Sequence, residues 1–130
     1  MMLVSFAGPA ANMILAIAAA ILVGLLQGVF STVHSSFFTI FMAILTQLVF
    51  INVVLAIFNL IPIPPLDGSK ILAGLIPSSQ EWIYKLEQYG FIILILLMVT
   101  GIIGKILNFI INPIYWLLIQ LAQSVYGLFA

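Results

Sequence analysis

The feature that most constrains this chain is that residues 1–66 contain no Asp, Glu, Lys or Arg. An apolar stretch of about 20 residues is enough to cross a bilayer as a helix, and this one is far longer. Over all 130 residues there are only three lysines and three acids, where a soluble domain of this size has about 30 charged side chains. The sequence therefore predicts an all-α integral membrane protein that crosses the bilayer several times, with residues 1–130 forming a single membrane domain.

The same composition excludes several other classes of protein. Nucleic-acid binding needs several clustered cations, and this chain has none clustered. Because the cysteine count is zero, disulfides and thiolate metal sites are also excluded. The apolar N-terminal stretch lacks a basic flank and is longer than the apolar region of a signal peptide, so we do not expect it to be cleaved. The first expected partner is therefore the lipid bilayer itself.

Apolar stretches long enough for membrane helices recur along the chain. Three spans and one possible fourth are predicted, at about 9–29, 37–61, 89–104 and 106–128 respectively. The third span is short, so we expect it to borrow length from the polar helix at 79–88, whose aromatic side chains beside charges are typical of a membrane interface. Because Asn112–Pro113 is expected to break the last segment, that segment is equally consistent with a span, a re-entrant segment or a helix lying in the interface.

The first predicted span has a regular pattern of small side chains. It is expected to begin at Gly8–Pro9, since proline in the first turn of a helix sacrifices no hydrogen bond. Residues that are mostly small then recur every four positions: Gly8, Asn12, Ala16, Ala20, Gly24 and Gly28. Membrane helices associate through such small residues, so we interpret this ridge as a face on which another helix packs closely.

The segment at 62–68, PIPPLDG, is predicted to be non-helical, because its three prolines remove backbone donors and force an extended chain. A turn at 67–69 then leads into a short helix at 70–75. An acid directly after such a segment, between apolar helices, is a candidate functional residue. It is equally consistent with an acid that caps the short helix at the water boundary, so the sequence pattern leaves both interpretations of Asp67 open.

Two motifs resemble those of a known family. Residues 5–12, SFAGPAAN, resemble the A-G-P-x-x-N segment of the site-2 protease family, the intramembrane zinc metalloproteases of the peptidase M50 type. Further along, residues 59–68, NLIPIPPLDG, resemble the second signature of that family, N-x-x-P-x-x-P-L-D-G. The two motifs occur in the family's order, each beside a predicted membrane helix. The resemblance covers roughly residues 3–75.

The resemblance implies an activity and a role for several residues. Members of the family cleave peptide bonds in membrane-embedded proteins or peptides with a Zn²⁺ ion that two histidines and one aspartate hold. The aspartate of the second signature corresponds here to Asp67, which is the expected metal ligand. The resemblance further implies that Asn59 helps to position the substrate, and that Gly8, Pro9 and Asn12 are structural.

This sequence lacks the H-E-x-x-H helix that supplies the histidines and the glutamate base. Its only histidine, His34, has no glutamate beside it. We therefore expect the chain to be the C-terminal part of such a protease, with no catalytic residue of its own, inactive unless the missing N-terminal helices or a partner chain complete the site. Two alternatives are a non-catalytic relative that binds membrane segments or acts as a scaffold, and an unrelated transporter or channel subunit in which Asp67 and Asn52 handle ions.

Overall fold

The computed structural model describes residues 2–129, and the regular structure in this range is entirely helical. Six α-helices follow one another, with a single 3₁₀ turn at Pro77–Ser79 before the fourth: α1 Met2–Val29, α2 Ser36–Asn59, α3 Asp67–Leu75, α4 Gln80–Glu87, α5 Gly90–Thr100 and α6 Ile102–Phe129. The long helices α1, α2 and α6 are apolar enough to cross a membrane. These findings confirm the predicted all-α membrane bundle.

The three long helices pack side by side around a shared core. One buried cluster contains Ala16, Ala20, Val49, Val53, Ile111 and Leu118. A second buried cluster contains Val23, Met42, Leu45 and Ala122. From the first cluster to the second, residue numbers rise in α1 and α6 but fall in α2. Helices α1 and α6 therefore run parallel, and α2 runs antiparallel to both.

The ridge of small residues on α1 is a packing face, as predicted. Ala16, Ala20, Gly24 and Gly28 are all buried. A Cβ atom added to Gly24 would overlap the backbone carbonyl of Ala122 in α6, and one added to Gly28 would lie 2.6 Å from the Cβ of Phe129. The absence of side chains at the two glycines thus allows α1 and α6 to approach closely along their second halves.

The prediction that the first helix begins at Gly8–Pro9 is wrong, because α1 begins at Met2 and contains Pro9 as a buried residue. Proline removes one hydrogen bond from a helix interior but does not always end the helix. Here the turns before Pro9 pack on α3, where a Cβ atom on Gly74 would lie 2.6 Å from the Met2 side chain. This tertiary contact supports the helical turns that precede the proline.

The predicted third span at 89–104 is not a single helix. Gly101, with φ +78°, ends α5 in the left-handed conformation that glycine adopts readily, and α6 begins at the next residue. With 11 residues, α5 is about 16 Å long, which is too short to cross a hydrocarbon core of about 30 Å. It also lies at 80° to the preceding helical segment Pro77–Glu87, so the two do not form one straight span.

The segment between α2 and α6 begins and ends at the same end of the bundle. Leu66, Leu94 and Ile103 form one buried cluster, against which Phe58 of α2 packs. The end of α2, the end of the proline segment, α5 and the start of α6 therefore meet. Since the chain returns to the end from which it left, the bent pair of α4 and α5 does not cross the bundle, and residues 2–129 contain three spanning helices.

The expected break at Asn112–Pro113 is also wrong, because α6 continues as one helix through Pro113. Ile111 and Leu118, on either side of the proline, are both buried in the core formed with α1 and α2. Packing on both sides thus compensates for the hydrogen bond that the proline removes. Because α6 lies parallel to α1, the structure favours a span for this segment over the other two interpretations.

Candidate functional site

Asp67 is the first residue of α3 and directly follows the non-helical proline segment. Leu66, not Asp67, occupies the N-cap position, and no side chain caps the helix. Within residues 2–129 no hydrogen bond reaches the Asp67 carboxylate, whereas the neighbouring Ser69 hydroxyl donates to the Leu66 carbonyl at 2.8 Å. The carboxylate is half-buried, and its oxygens are not sealed from the surface. The Asp67 side chain therefore does not cap α3, and capping does not explain why an acid occupies this position.

Gly68 allows the first turn of α3 to lie directly on the chain that leaves α2. A Cβ atom at Gly68 would overlap the backbone carbonyl oxygens of Leu60 and Ile61. Gly68 and Ser69 are both buried in this contact. The close contact thus explains why the L-D-G sequence needs a glycine at this position. It also determines where the preceding Asp67 lies.

A second close contact holds the proline segment from its other side. A Cβ atom at Gly90, the first residue of α5, would overlap the carbonyl oxygen of Pro64, which is itself buried. Leu66 is buried against Leu94 of α5 and Ile103 of α6. The segment that leads to Asp67 is therefore enclosed by α2, α5 and α6, although it has no regular secondary structure.

Helix α1 forms the wall opposite the Asp67 carboxylate. A Cβ atom built on Gly8 would lie 3.3 Å from Oδ2 of Asp67. Gly8 is exposed, and Asn12, one turn further along α1, is half-buried. The two motifs, which are far apart in the sequence, thus meet at Gly8 and Asp67. The motif alone indicates only a structural role for Gly8, and only the tertiary structure reveals that it borders the carboxylate.

Each of the two asparagines of α2 donates one amide hydrogen within its own helix. Asn59 Nδ2 donates to the Leu55 carbonyl at 2.9 Å, and Asn52 Nδ2 donates to the Leu48 carbonyl at 2.8 Å. Neither side chain is hydrogen-bonded to Asp67. Each amide retains its second N–H, which can donate, and the oxygen Oδ1, which accepts hydrogen bonds.

The proline segment offers no free backbone donor. Pro62, Pro64 and Pro65 have no N–H group. The remaining N–H groups of residues 60–66 donate within the chain: Leu60 to Ile57, Ile61 to Phe58, Ile63 to Ile61 and Leu66 to Ile63. An extended peptide beside this segment would therefore find only acceptors on its backbone.

The structure does not bring His34 to this site. His34 is exposed in the turn between α1 and α2, at the end of α1 that lies about 30 Å from Gly8. Among residues 2–129 there is no group of three or more His, Cys, Asp or Glu side chains that could hold a metal ion. Since a zinc site uses at least three protein ligands, these residues do not by themselves fit Zn²⁺.

An apolar cavity of about 450 Å³ borders the same segment. Its walls are formed by residues 60–63 on one side and by α5 and α6 on the other, including Leu97 and Ile106. This volume lies within the range of cavities that bind small ligands. Because the lining is almost entirely aliphatic, the cavity suits an apolar chain or side chain.

Comparison with known proteins identifies similar sequences. The family model described as Peptidase family M50 matches residues 1–101. YwhC of Bacillus subtilis, named as a presumed zinc metalloprotease, is 39% identical over 106 residues, which cover 75% of this chain and 45% of the relative. Rip2 of Mycolicibacterium smegmatis, named in the same way, is 33% identical over 115 residues, or 88% of this chain and 40% of the relative. The chain thus spans less than half the length of either relative. No solved structure matches it significantly.

Proposed function

The chain belongs to peptidase family M50 and is an integral, multi-pass membrane protein, and we propose that it is part of a site-2-type zinc metalloprotease. Its reaction is the hydrolysis of peptide bonds in membrane-embedded proteins or peptides. The relatives named as presumed zinc metalloproteases support this class of reaction. The observation that carries the proposal is the free Asp67 carboxylate at the contact between the two family motifs.

Asp67 acts in this proposal as one zinc ligand. Its carboxylate has no hydrogen-bonding partner in the described part of the chain, although it lies half-buried in a bundle of apolar helices. An ionisable side chain among membrane helices is by default a candidate for a functional site. Gly8 on one side leaves space beside the oxygens, and Gly68 on the other keeps the turn close to α2. Both features support a carboxylate held in position for a ligand.

The remaining ligands and the glutamate base come, in this proposal, from N-terminal helices or a partner chain outside these 130 residues. A metalloprotease hydrolyses peptide bonds with a metal centre that activates water, and one carboxylate does not hold such a metal. The greater length of both relatives supports this view. We therefore expect the 130-residue chain alone to be inactive.

Substrate binding is assigned to the proline segment and the cavity beside it. Because residues 60–66 have no free N–H group, a substrate strand can donate hydrogen bonds to this segment but cannot accept them from it. The Asn59 Oδ1 atom is a further acceptor at the start of the segment. An apolar substrate side chain would fit the cavity of about 450 Å³. We expect an extended, apolar piece of the substrate to lie here.

Zinc content tests the role of Asp67. The DNA upstream of the Met1 codon is first sequenced for an in-frame H-E-x-x-H, and the protein that includes it is purified from membranes. We expect close to one zinc per chain, which Asp67→Ala reduces at least tenfold together with proteolysis. Glu87→Gln, at an exposed acid of α4, is the matched control and should change neither quantity.

The outcome separates the proposed protease from its alternatives. Full zinc content in the Asp67→Ala variant would disprove the assignment of Asp67 as a ligand. If no H-E-x-x-H precedes Met1 and no partner chain co-purifies, the non-catalytic membrane-segment-binding relative becomes the better hypothesis. Ion flux through the chain in liposomes that depends on Asp67 would instead support a transporter or channel subunit.

A further inference from the structure

One exposed side of α6 carries most of the polar side chains of this helix, with the aromatic side chains of Phe109 and Trp116 among them. These polar side chains are those of Lys105, Asn108, Asn112, Gln120, Gln123 and Ser124, all of which are exposed. We call this set the polar stripe. Beside it, Ile106, Ile110 and Leu117 are exposed and apolar, as expected for residues that face lipid. The polar stripe lies opposite the buried face that α6 packs on α1 and α2.

The polar stripe runs through the depth of the membrane. Helix α6 lies parallel to α1, and the distance along its axis from Asn108 to Ser124 is about 24 Å, which is most of a hydrocarbon core of about 30 Å. Lipid chains cannot hydrogen-bond to amides, so an amide that faces lipid is unfavourable. A surface of this kind needs a partner that is itself inside the membrane.

The amides of the polar stripe differ from those of α2 in having no partner within residues 2–129. Asn52 and Asn59 donate to carbonyls of their own helix, and Ser124 of the stripe likewise donates to the Gln120 carbonyl at 2.9 Å. In contrast, the four amide side chains of the stripe form no hydrogen bond in the described chain: Asn108, Asn112, Gln120 and Gln123. Four amides are thus available to a neighbouring molecule.

We propose that the polar stripe is the interface with a second copy of this chain, so that two α6 helices pack against each other. Each amide carries both donors and an acceptor, so an identical stripe is its own chemical complement. Two chains inserted in the same direction are related by a two-fold axis along the membrane normal, which brings each part of one stripe opposite the same part of the other.

Charge and spacing also fit a second copy. The stripe is uncharged except for Lys105, which lies near the start of α6, where a long side chain can reach the interface with water. Asn108, Asn112, Trp116, Gln120 and Ser124 recur every four residues, and rows with this spacing form the ridges through which two helices interlock. Trp116 is 59% exposed, so its indole N–H is a further donor to the partner. This proposal does not depend on the proposed protease function.

Cysteine cross-linking tests the interface, because the chain contains no cysteine. Asn112→Cys and the matched control Leu117→Cys are each reconstituted into vesicles at high dilution in lipid and oxidised. Both positions lie on exposed parts of α6, but only the first belongs to the polar stripe. We expect Asn112→Cys to form disulfide-linked dimers at least tenfold faster than Leu117→Cys. Equal rates would overturn the proposal, as would reaction of Asn112→Cys with a membrane-impermeant thiol reagent without cross-linking, since the stripe would then face water.

Energy transfer between labelled chains in vesicles provides a second measurement. The wild-type chain should dimerise, and the double change Asn108→Leu with Asn112→Leu should weaken dimerisation at least tenfold, because it removes four amides from each pair. The control, Ile106→Leu with Ile110→Leu, alters only the apolar side and should leave dimerisation unchanged. A wild-type chain that is monomeric at every dilution would overturn the proposal.

Discussion

At the scale of single residues, the candidate site depends on two glycines as much as on its carboxylate. Gly68 lies on the carbonyls of Leu60 and Ile61, and Gly8 lies against the Asp67 carboxylate. The family motifs contain both glycines, but a motif does not tell which atoms a glycine must avoid. In this fold one glycine positions the turn that carries Asp67, and the other leaves room beside it.

The steric role of Gly68 predicts that Gly68→Ala destabilises the chain. Its Cβ atom would overlap two backbone carbonyl oxygens, which cannot move as a flexible side chain can, and overpacking of this kind costs about 1–3 kcal/mol. The free energy of unfolding, measured in detergent by denaturant titration, should fall by that amount. Gly104→Ala is the control, because a Cβ atom there meets nothing within 4 Å, and equal stability of the two variants would contradict the prediction.

At the scale of helices, the close contact of α1 with α6 connects the small-residue ridge to the span that carries the polar stripe. The ridge is visible in the sequence as a repeat every four residues, but the sequence does not identify its partner. The structure shows that Gly24 and Gly28 pack on α6, the segment for which the sequence leaves three interpretations open. Ala16 and Ala20 lie in the core shared by α1, α2 and α6. Burial of Ile111 and Leu118 in the central core explains why α6 continues past Pro113.

This contact predicts that Gly24→Ala weakens the packing of α1 on α6. The added Cβ atom would overlap the Ala122 carbonyl and lie 2.9 Å from the Cβ of Val125, so the helices must separate, at a cost of about 1–3 kcal/mol. The measurement is again unfolding in detergent. Gly127→Ala, whose Cβ atom would meet nothing within 4 Å, should be close to neutral, and a Gly24→Ala variant as stable as this control would disprove the close approach.

At the scale of the whole molecule, the three spans determine which segments share a side of the membrane. The turn at 30–35 lies at one end of the bundle, and the segment at 60–101 lies at the other. Asp67 is at the second end, level with the early turns of α1. The candidate site is therefore at the end of the bundle where α2 ends and α6 begins.

This topology predicts opposite accessibility for His34→Cys and Ser78→Cys. Both residues are exposed, and they lie at opposite ends of the bundle. In sealed vesicles of uniform orientation, a membrane-impermeant maleimide should label one variant from outside and the other only after permeabilisation. Labelling of both from the same side would mean that the chain crosses the membrane an even number of times between them, so that α2 would not be the single span that separates them.

The sequence by itself determined the class of fold and the candidate metal ligand. Long uncharged stretches predict membrane helices, because lipid cannot form hydrogen bonds with backbone N–H and C=O groups and a helix pairs them internally. Three closely spaced prolines exclude a helix just before Asp67, because they lack N–H groups. The two motifs identify the family and select Asp67. These features depend on local composition and spacing, which a sequence displays directly.

Only the tertiary structure decided whether the helices continue through the other prolines and which distant segments are in contact. Pro9 and Pro113 are locally expected to begin or break a helix, yet both lie inside helices, because neighbouring turns are buried against α3 or in the central core. The contact between Gly8 and Asp67 joins residues far apart in the sequence. Its existence depends on how α1, α2 and α3 pack together, and the free energy of that packing outweighs the local preference of a single proline.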